Sequence, residues 1–113
     1  MTDTTTIALV QHVSTPGNVA ASLERINTYA KQASDAGVEL LLFPEASLTG
    51  YNNTLQTNKE IAETSDGEAA QVIKQLCKKY NIAIAYGFAE RYQNQIFNSV
   101  QLIDASGLSL IHI

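Results

Sequence analysis

Glu39-Leu40-Leu41-Leu42-Phe43-Pro44-Glu45-Ala46-Ser47-Leu48-Thr49-Gly50-Tyr51 is the stretch around which the chain is organised. Residues 40–43 are a short, unbroken apolar run, which reads as a strand buried on both faces, as in a parallel sheet. Pro44 ends the ladder, because it has no N–H to donate and its ring fixes φ. Glu45 follows at once, and Ser47, Thr49 and Gly50 mark a loop rather than another regular element. An ionisable group thus stands at the carboxyl end of a buried strand, where open α/β sheets build their sites.

Working outward, residues 5–12 are rich in β-formers and read as a first strand, with Ile7 and Leu9 on one face. Ser14-Thr15-Pro16-Gly17-Asn18 is punctuation, and Asn18 is suited to cap a helix. Val19, Leu23, Ile26, Ala30 and Ala33 then recur at helical spacing, with Glu24, Arg25, Lys31 and Gln32 turned to water. Gly37 ends that helix. Beyond Tyr51 a polar loop over residues 52–58 leads to a short helical stretch at 59–63. Residues 64–67 offer a cap for a second long helix, whose buried stripe is Val72, Ile73, Leu76, Cys77 and Tyr80. Lys74, Lys78 and Lys79 face out, and Asn81 supplies a left-handed cap. Residues 82–90 form a third strand whose small side chains suggest close packing under helices. A turn at 91–95 and a strand at 97–103 follow. The order β-α-β-(loop)-α-β-β defines an α/β fold.

At 113 residues the chain is at most one domain, and 45% hydrophobic with 16% charged residues describes a globular protein. A net charge of −4 argues against nucleic-acid and anionic-membrane partners. No run approaches the length of a membrane span, and residues 1–4 lack the basic and apolar regions of a signal peptide. The single cysteine excludes an internal disulfide and fits a cytoplasmic location.

Phe43-Pro44-Glu45-Ala46-Ser47-Leu48-Thr49-Gly50-Tyr51 resembles the first signature of the nitrilase, or carbon–nitrogen hydrolase, superfamily. Gly87-Phe88-Ala89-Glu90-Arg91 and Phe97-Asn98-Ser99 match the pattern that follows it there. The resemblance implies a four-layer αββα sandwich, of which residues 1–107 are the amino-terminal part, and a homo-oligomeric assembly at full length. It implies hydrolysis of a small amide or carbamoyl compound, without a cofactor, by a Glu–Lys–Cys triad. Glu45 matches the general base, while the lysine and cysteine regions lie beyond this chain. Residues 108–113 depart from the family pattern and match the translation of a transposon adapter end used in sequencing libraries. They are expected to be a non-native tail.

Glu45 is therefore the catalytic candidate, and a base in this role should be partly buried, since desolvation raises a carboxyl pKa toward the working pH. Tyr51 and Asn52, with Asn53, follow it and are candidates to line a substrate pocket. Cys77 is tempting as a nucleophile, but on the face of Ile73 and Tyr80 it reads as a small core residue. Glu90 and Arg91 read as a structural ion pair, and His12 as a residue with a local polar contact. Two distant histidines and one cysteine make no metal site. A second class of function fits the same residues: a complete, non-catalytic α/β binding or regulatory domain, expected to be a monomer with no exposed apolar face.

Overall fold

The computed structural model describes residues 3–51 and 53–113, the side chain of Ile111 excepted. The elements are β1 (Ile7–Leu9), α1 (Val19–Asp35), β2 (Leu40–Leu42), α2 (Leu55–Ile61), α3 (Glu68–Tyr80), β3 (Ala83–Tyr92), β4 (Gln95–Ile103) and β5 (Ser109–His112). They build one mixed sheet in the order β1-β2-β3-β4-β5. The pairs β1–β2 and β2–β3 are parallel, and β3–β4 and β4–β5 antiparallel. Two successive crossovers of the same hand, advancing the same way across the sheet, bring α1 and α3 to one face.

That face carries the core. Ile26 and Ala30 of α1 and Ile73 and Cys77 of α3 pack with Leu41, Ile84, Tyr86, Phe88 and Ile103. Helix α1 starts where Asn18 accepts the Ala21 amide at 3.0 Å, and it stops at Ala36, followed by Gly37 in the left-handed region. Asn81 ends α3 with φ 52°, as its position after the stripe predicts.

The capping of the other helices differs from the expectation. Helix α2 begins at Leu55, because Thr54 Oγ1 accepts the Thr57 amide at 3.1 Å, so half of the expected polar loop is helical. At the start of α3 the donor of Ala69 is satisfied by Glu63 Oε1 at 3.0 Å, not by the polar cluster next to Gly67. Val72 is exposed rather than buried. Ala69, Ala70, Ile73 and Cys77 form the inner stripe, and Val72 lies a step round the helix from it. Arg25, expected in water, is half-buried, and its Nη1 donates to the Val13 carbonyl at 2.8 Å and lies 3.1 Å from His12 Nδ1.

The opposite face of the sheet is open in this chain. Ile7 and Leu9 share it as their alternation predicts, and they are 53% and 74% exposed. The run at 40–43 is consequently not buried on both faces: Leu41 is buried under the helices, while Leu40 and Leu42 are half-buried. In β3 the large residues Ile84, Tyr86 and Phe88 meet the helices. The small residues Ala83, Ala85, Gly87 and Ala89 alternate to the other side, so their size does not serve helix packing.

β3 and β4 join through Gln93 and Asn94, both at positive φ, between the paired residues Tyr92 and Gln95. A two-residue connection of this kind matches the right-handed twist of the strands. Residues 108–113, set apart from the fold above, are in contact with it. Ser109–His112 pairs antiparallel with β4, and Ile113 exchanges backbone hydrogen bonds with Val100. The edge of β4 presents free amides and carbonyls that an extended segment can pair with through backbone alone. No helix among the described residues is long and apolar enough to cross a membrane.

Candidate active site

The β2 ladder ends at Pro44, as the sequence predicts. The Phe43 amide still donates to Ala85, after which the chain turns over residues 45–49 and returns to the edge of β3. There Leu48 donates to the Gly87 carbonyl at 3.0 Å, and Ala89 donates to Thr49 Oγ1 at 2.9 Å. The turn is closed by Gly50 donating to Ala46 at 2.7 Å, and Ala46 itself sits at φ 54°. A left-handed alanine costs about 1–2 kcal/mol, and strain of this kind gathers at sites whose surroundings over-determine the backbone.

Gly87 and Gly50 make the turn possible. A Cβ on Gly87 would collide with the Ala46 backbone nitrogen, so the strand and the segment carrying Glu45 approach as closely as two backbones can. Gly50, at φ 96°, leaves no room for a side chain against Pro16, and the Gly17 amide donates to Thr49 at 3.0 Å. The segment is thereby held between β3 and the turn before α1.

Glu45 emerges from this turn exposed, contrary to the expectation of partial burial, because it stands on the side of the sheet that no helix covers. Its Oε1 accepts a 2.7 Å hydrogen bond from Asn98 Nδ2 of β4. Glu45 and Asn98 line a cleft of about 320 Å³ together with Tyr51, Asn53, Leu55 and Phe97. Among the described residues Glu45 is the only carboxylate or cation in that lining. The arrangement offers one oxygen tied to an amide donor and one left to exchange a proton with a bound molecule.

Tyr51 stands in the cleft wall, 55% exposed, with its backbone amide donating to Ser14 Oγ at 3.2 Å. Asn52 lies outside the described residues. The Asn53 amide is spent on the turn, donating to the Thr49 carbonyl at 2.8 Å. Asn98 is the residue that sequence reasoning quoted without giving a role. The signal was an asparagine on an alternating strand, one position out of phase with the buried Ser99.

The remaining candidates fall away from the cleft. Cys77 is fully buried, its thiol donates to the Ile103 carbonyl at 3.7 Å, and burial pushes its pKa up to about 12. A thiol so held is the reverse of an activated nucleophile. Glu90 and Arg91 do not pair: as neighbours on a strand they point to opposite faces. Glu90 is buried, accepts from Ser99 Oγ at 2.7 Å and lies 2.6 Å from His112 Nε2. Tyr86 donates to Gln101 Oε1 at 2.7 Å within the core, and burial holds its phenol well above the usual range. No cluster of three or more metal-ligating side chains occurs among the described residues.

Known proteins share both the sequence and this geometry. The "Hydrolase in pqqF 5'region" of Pseudomonas protegens is 43% identical over 105 residues, covering 92% of this chain and 36% of that protein. An (R)-stereoselective amidase of a Pseudomonas species is 34% identical over 105 residues, covering 92% of this chain and 37% of that protein. The crystal structure of an amidase from a Nesterenkonia species superposes with a TM-score of 0.82 at 26% identity, over 94% of this chain and 40% of that one. In the structure of a Glu-to-Gln mutant of the amidase from Nesterenkonia sp. AN1, 25% identical with a TM-score of 0.81, the acetamide moiety of fluoroacetamide is added covalently at the active-site cysteine. This chain spans less than half the length of each of these relatives. The described sheet and helices therefore correspond to the amino-terminal part of an αββα sandwich. With the carbon-nitrogen hydrolase pattern matching residues 6–110, the chain belongs to the carbon–nitrogen hydrolase family.

Proposed function

We propose that Glu45 is the general base of an amidase, and that residues 1–107 supply this base to a complete enzyme whose lysine and cysteine lie outside this chain. The observation that carries the reading is the presented carboxylate: Glu45 leaves a strained turn at the end of β2, is tied to Asn98 by one oxygen only, and faces a cleft. The covalent cysteine adduct of the Nesterenkonia amidase supports a thiol nucleophile in a protein of this fold.

The chemistry follows from what an amide requires. An amide carbon is a weak electrophile, so the thiol must be deprotonated and the developing oxyanion held. Glu45 takes the thiol proton, the sulfur attacks the carbonyl carbon, and a lysine ammonium stabilises the oxyanion. The C–N bond breaks as the proton passes from Glu45 to the leaving nitrogen. Water, deprotonated in turn by Glu45, hydrolyses the thioester to the acid and restores the thiol. Tyr51, in the cleft wall, and its sequence neighbour Asn52 are the proposed contacts to the substrate, a small amide or carbamoyl compound. Residues 1–107 belong to this hydrolase domain, and residues 108–113 are a non-native tail.

The test is ammonia release from small aliphatic amides by the complete gene product and its Glu45→Gln variant. Loss of a general base is expected to lower kcat by about 10²–10⁴-fold. A variant that keeps the parental rate overturns the assignment. So does amide turnover by the 113-residue chain alone, which on this reading holds one member of a three-residue machine.

A further inference from the structure

We infer that Asn98 is a positioning residue for Glu45, selecting which carboxylate oxygen acts and where it stands. The inference rests on the reading of Glu45 as the base. It is carried by the 2.7 Å bond from Asn98 Nδ2 to Glu45 Oε1, between residues 53 positions apart. An ionised carboxylate only accepts, so the amide of Asn98 must present its nitrogen to it. Among the described residues, Glu45 has no other hydrogen-bond partner for its carboxylate. An exposed glutamate with rotatable χ angles samples many orientations, and fixing one is what a single donor on a rigid element can do.

β4 is such an element. It is paired with β3 along its whole length, and Asn98 lies opposite Ala89, whose own amide is bonded to Thr49 of the Glu45 turn. The carboxylate is thus located twice from the β3–β4 hairpin, through backbone at Gly87 and through side chain at Asn98. With Oε1 engaged, Oε2 is the oxygen left for proton transfer. The next residue, Ser99, points to the other face and bonds buried Glu90 at 2.7 Å, so consecutive positions serve two carboxylates on opposite sides of the sheet.

The experiment uses the complete gene product with a small aliphatic amide as substrate. Asn98→Leu, which removes the donor at similar size, is expected to lower kcat at least tenfold while changing KM by less than about twofold, the pattern of an interaction that matters for reaction rather than binding. Asn98→His, whose Nδ1 can donate from a similar position, is expected to recover a good part of that loss. In a Glu45→Gln background Asn98→Leu is expected to add little, because a residue acting through Glu45 has nothing left to act on. The inference is overturned by an Asn98→Leu enzyme with parental kcat. It is equally overturned by a loss that Asn98→His leaves untouched and that multiplies in full with Glu45→Gln. Parental activity in Glu45→Gln alone is a different result, and it removes the base reading itself.

Discussion

The two faces of the sheet differ in every respect that physical chemistry distinguishes. On one, Ile26, Ile73, Ile84 and Phe88 are at most 2% exposed and close-packed between α1, α3 and the strands. On the other, Leu9 is 74% and Val100 43% exposed, small residues line β3, and the ionisable side chain of interest stands in the open. One face is where this chain stabilises itself. The other is where Glu45 stands in the open beside exposed apolar side chains such as Leu9 and Val100. In the αββα architecture to which the chain belongs, that second face is an inner one.

Three substitutions probe this contrast, and urea unfolding of the chain reads each. Phe88→Ala, on the covered face, is expected to cost about 3–5 kcal/mol, since it removes an aromatic ring from a site that cannot collapse around the loss. A cost below about 1 kcal/mol would mean that the helices do not pack as described. Gly87→Ala, at the centre of β3 but facing the Glu45 turn, is expected to cost about 1–3 kcal/mol, through displacement of backbone rather than lost burial. Its effect should appear as well in the amide chemical shifts of Ala46 and Leu48, and unchanged shifts would contradict the close approach. Leu9→Gln, on the open face, is expected to change stability by no more than about 0.5 kcal/mol in the 113-residue chain. A penalty of several times that would show that something already covers β1.

Much of the covered face could be read in advance. The stripe from Val19 to Ala33 needs only helical periodicity, and Asn18, Gly37 and Asn81 are positions where one residue type answers one backbone requirement. The errors have a common cause. Arg25 and the cap of α3 depend on which neighbour reaches them across the fold, and a single sequence does not record distance. Leu40–Leu42 reads as buried on both faces because its composition reflects the architecture of the relatives, while this chain covers one side. Small residues in β3 signal close approach, but not whether a helix or a turn is what approaches.

The site was legible in part for the same reason. Glu45 could be located because strand, proline and glutamate are contiguous, so local rules suffice. Its exposure could not, since that depends on the open face, and neither could Asn98, which meets it only after β2, β3 and β4 pair in register. That Glu90 does not pair with Arg91 is in principle predictable from strand alternation alone, whereas its bond to Ser99 needs the β3–β4 register.

The two-residue turn at Gln93–Asn94 has a consequence for which sequence changes the hairpin can absorb. Because strand side chains repeat with period two, lengthening that turn so that β4 slips by a single residue would exchange the faces of Asn98 and Ser99. Glu45 and Glu90 would lose their partners in the same event, one at the cleft and one in the core. Insertions that shift the register by one are thus excluded twice over, whereas a shift by two keeps the alternation of faces. The length of a surface turn outside the cleft is tied in this way to the geometry inside it.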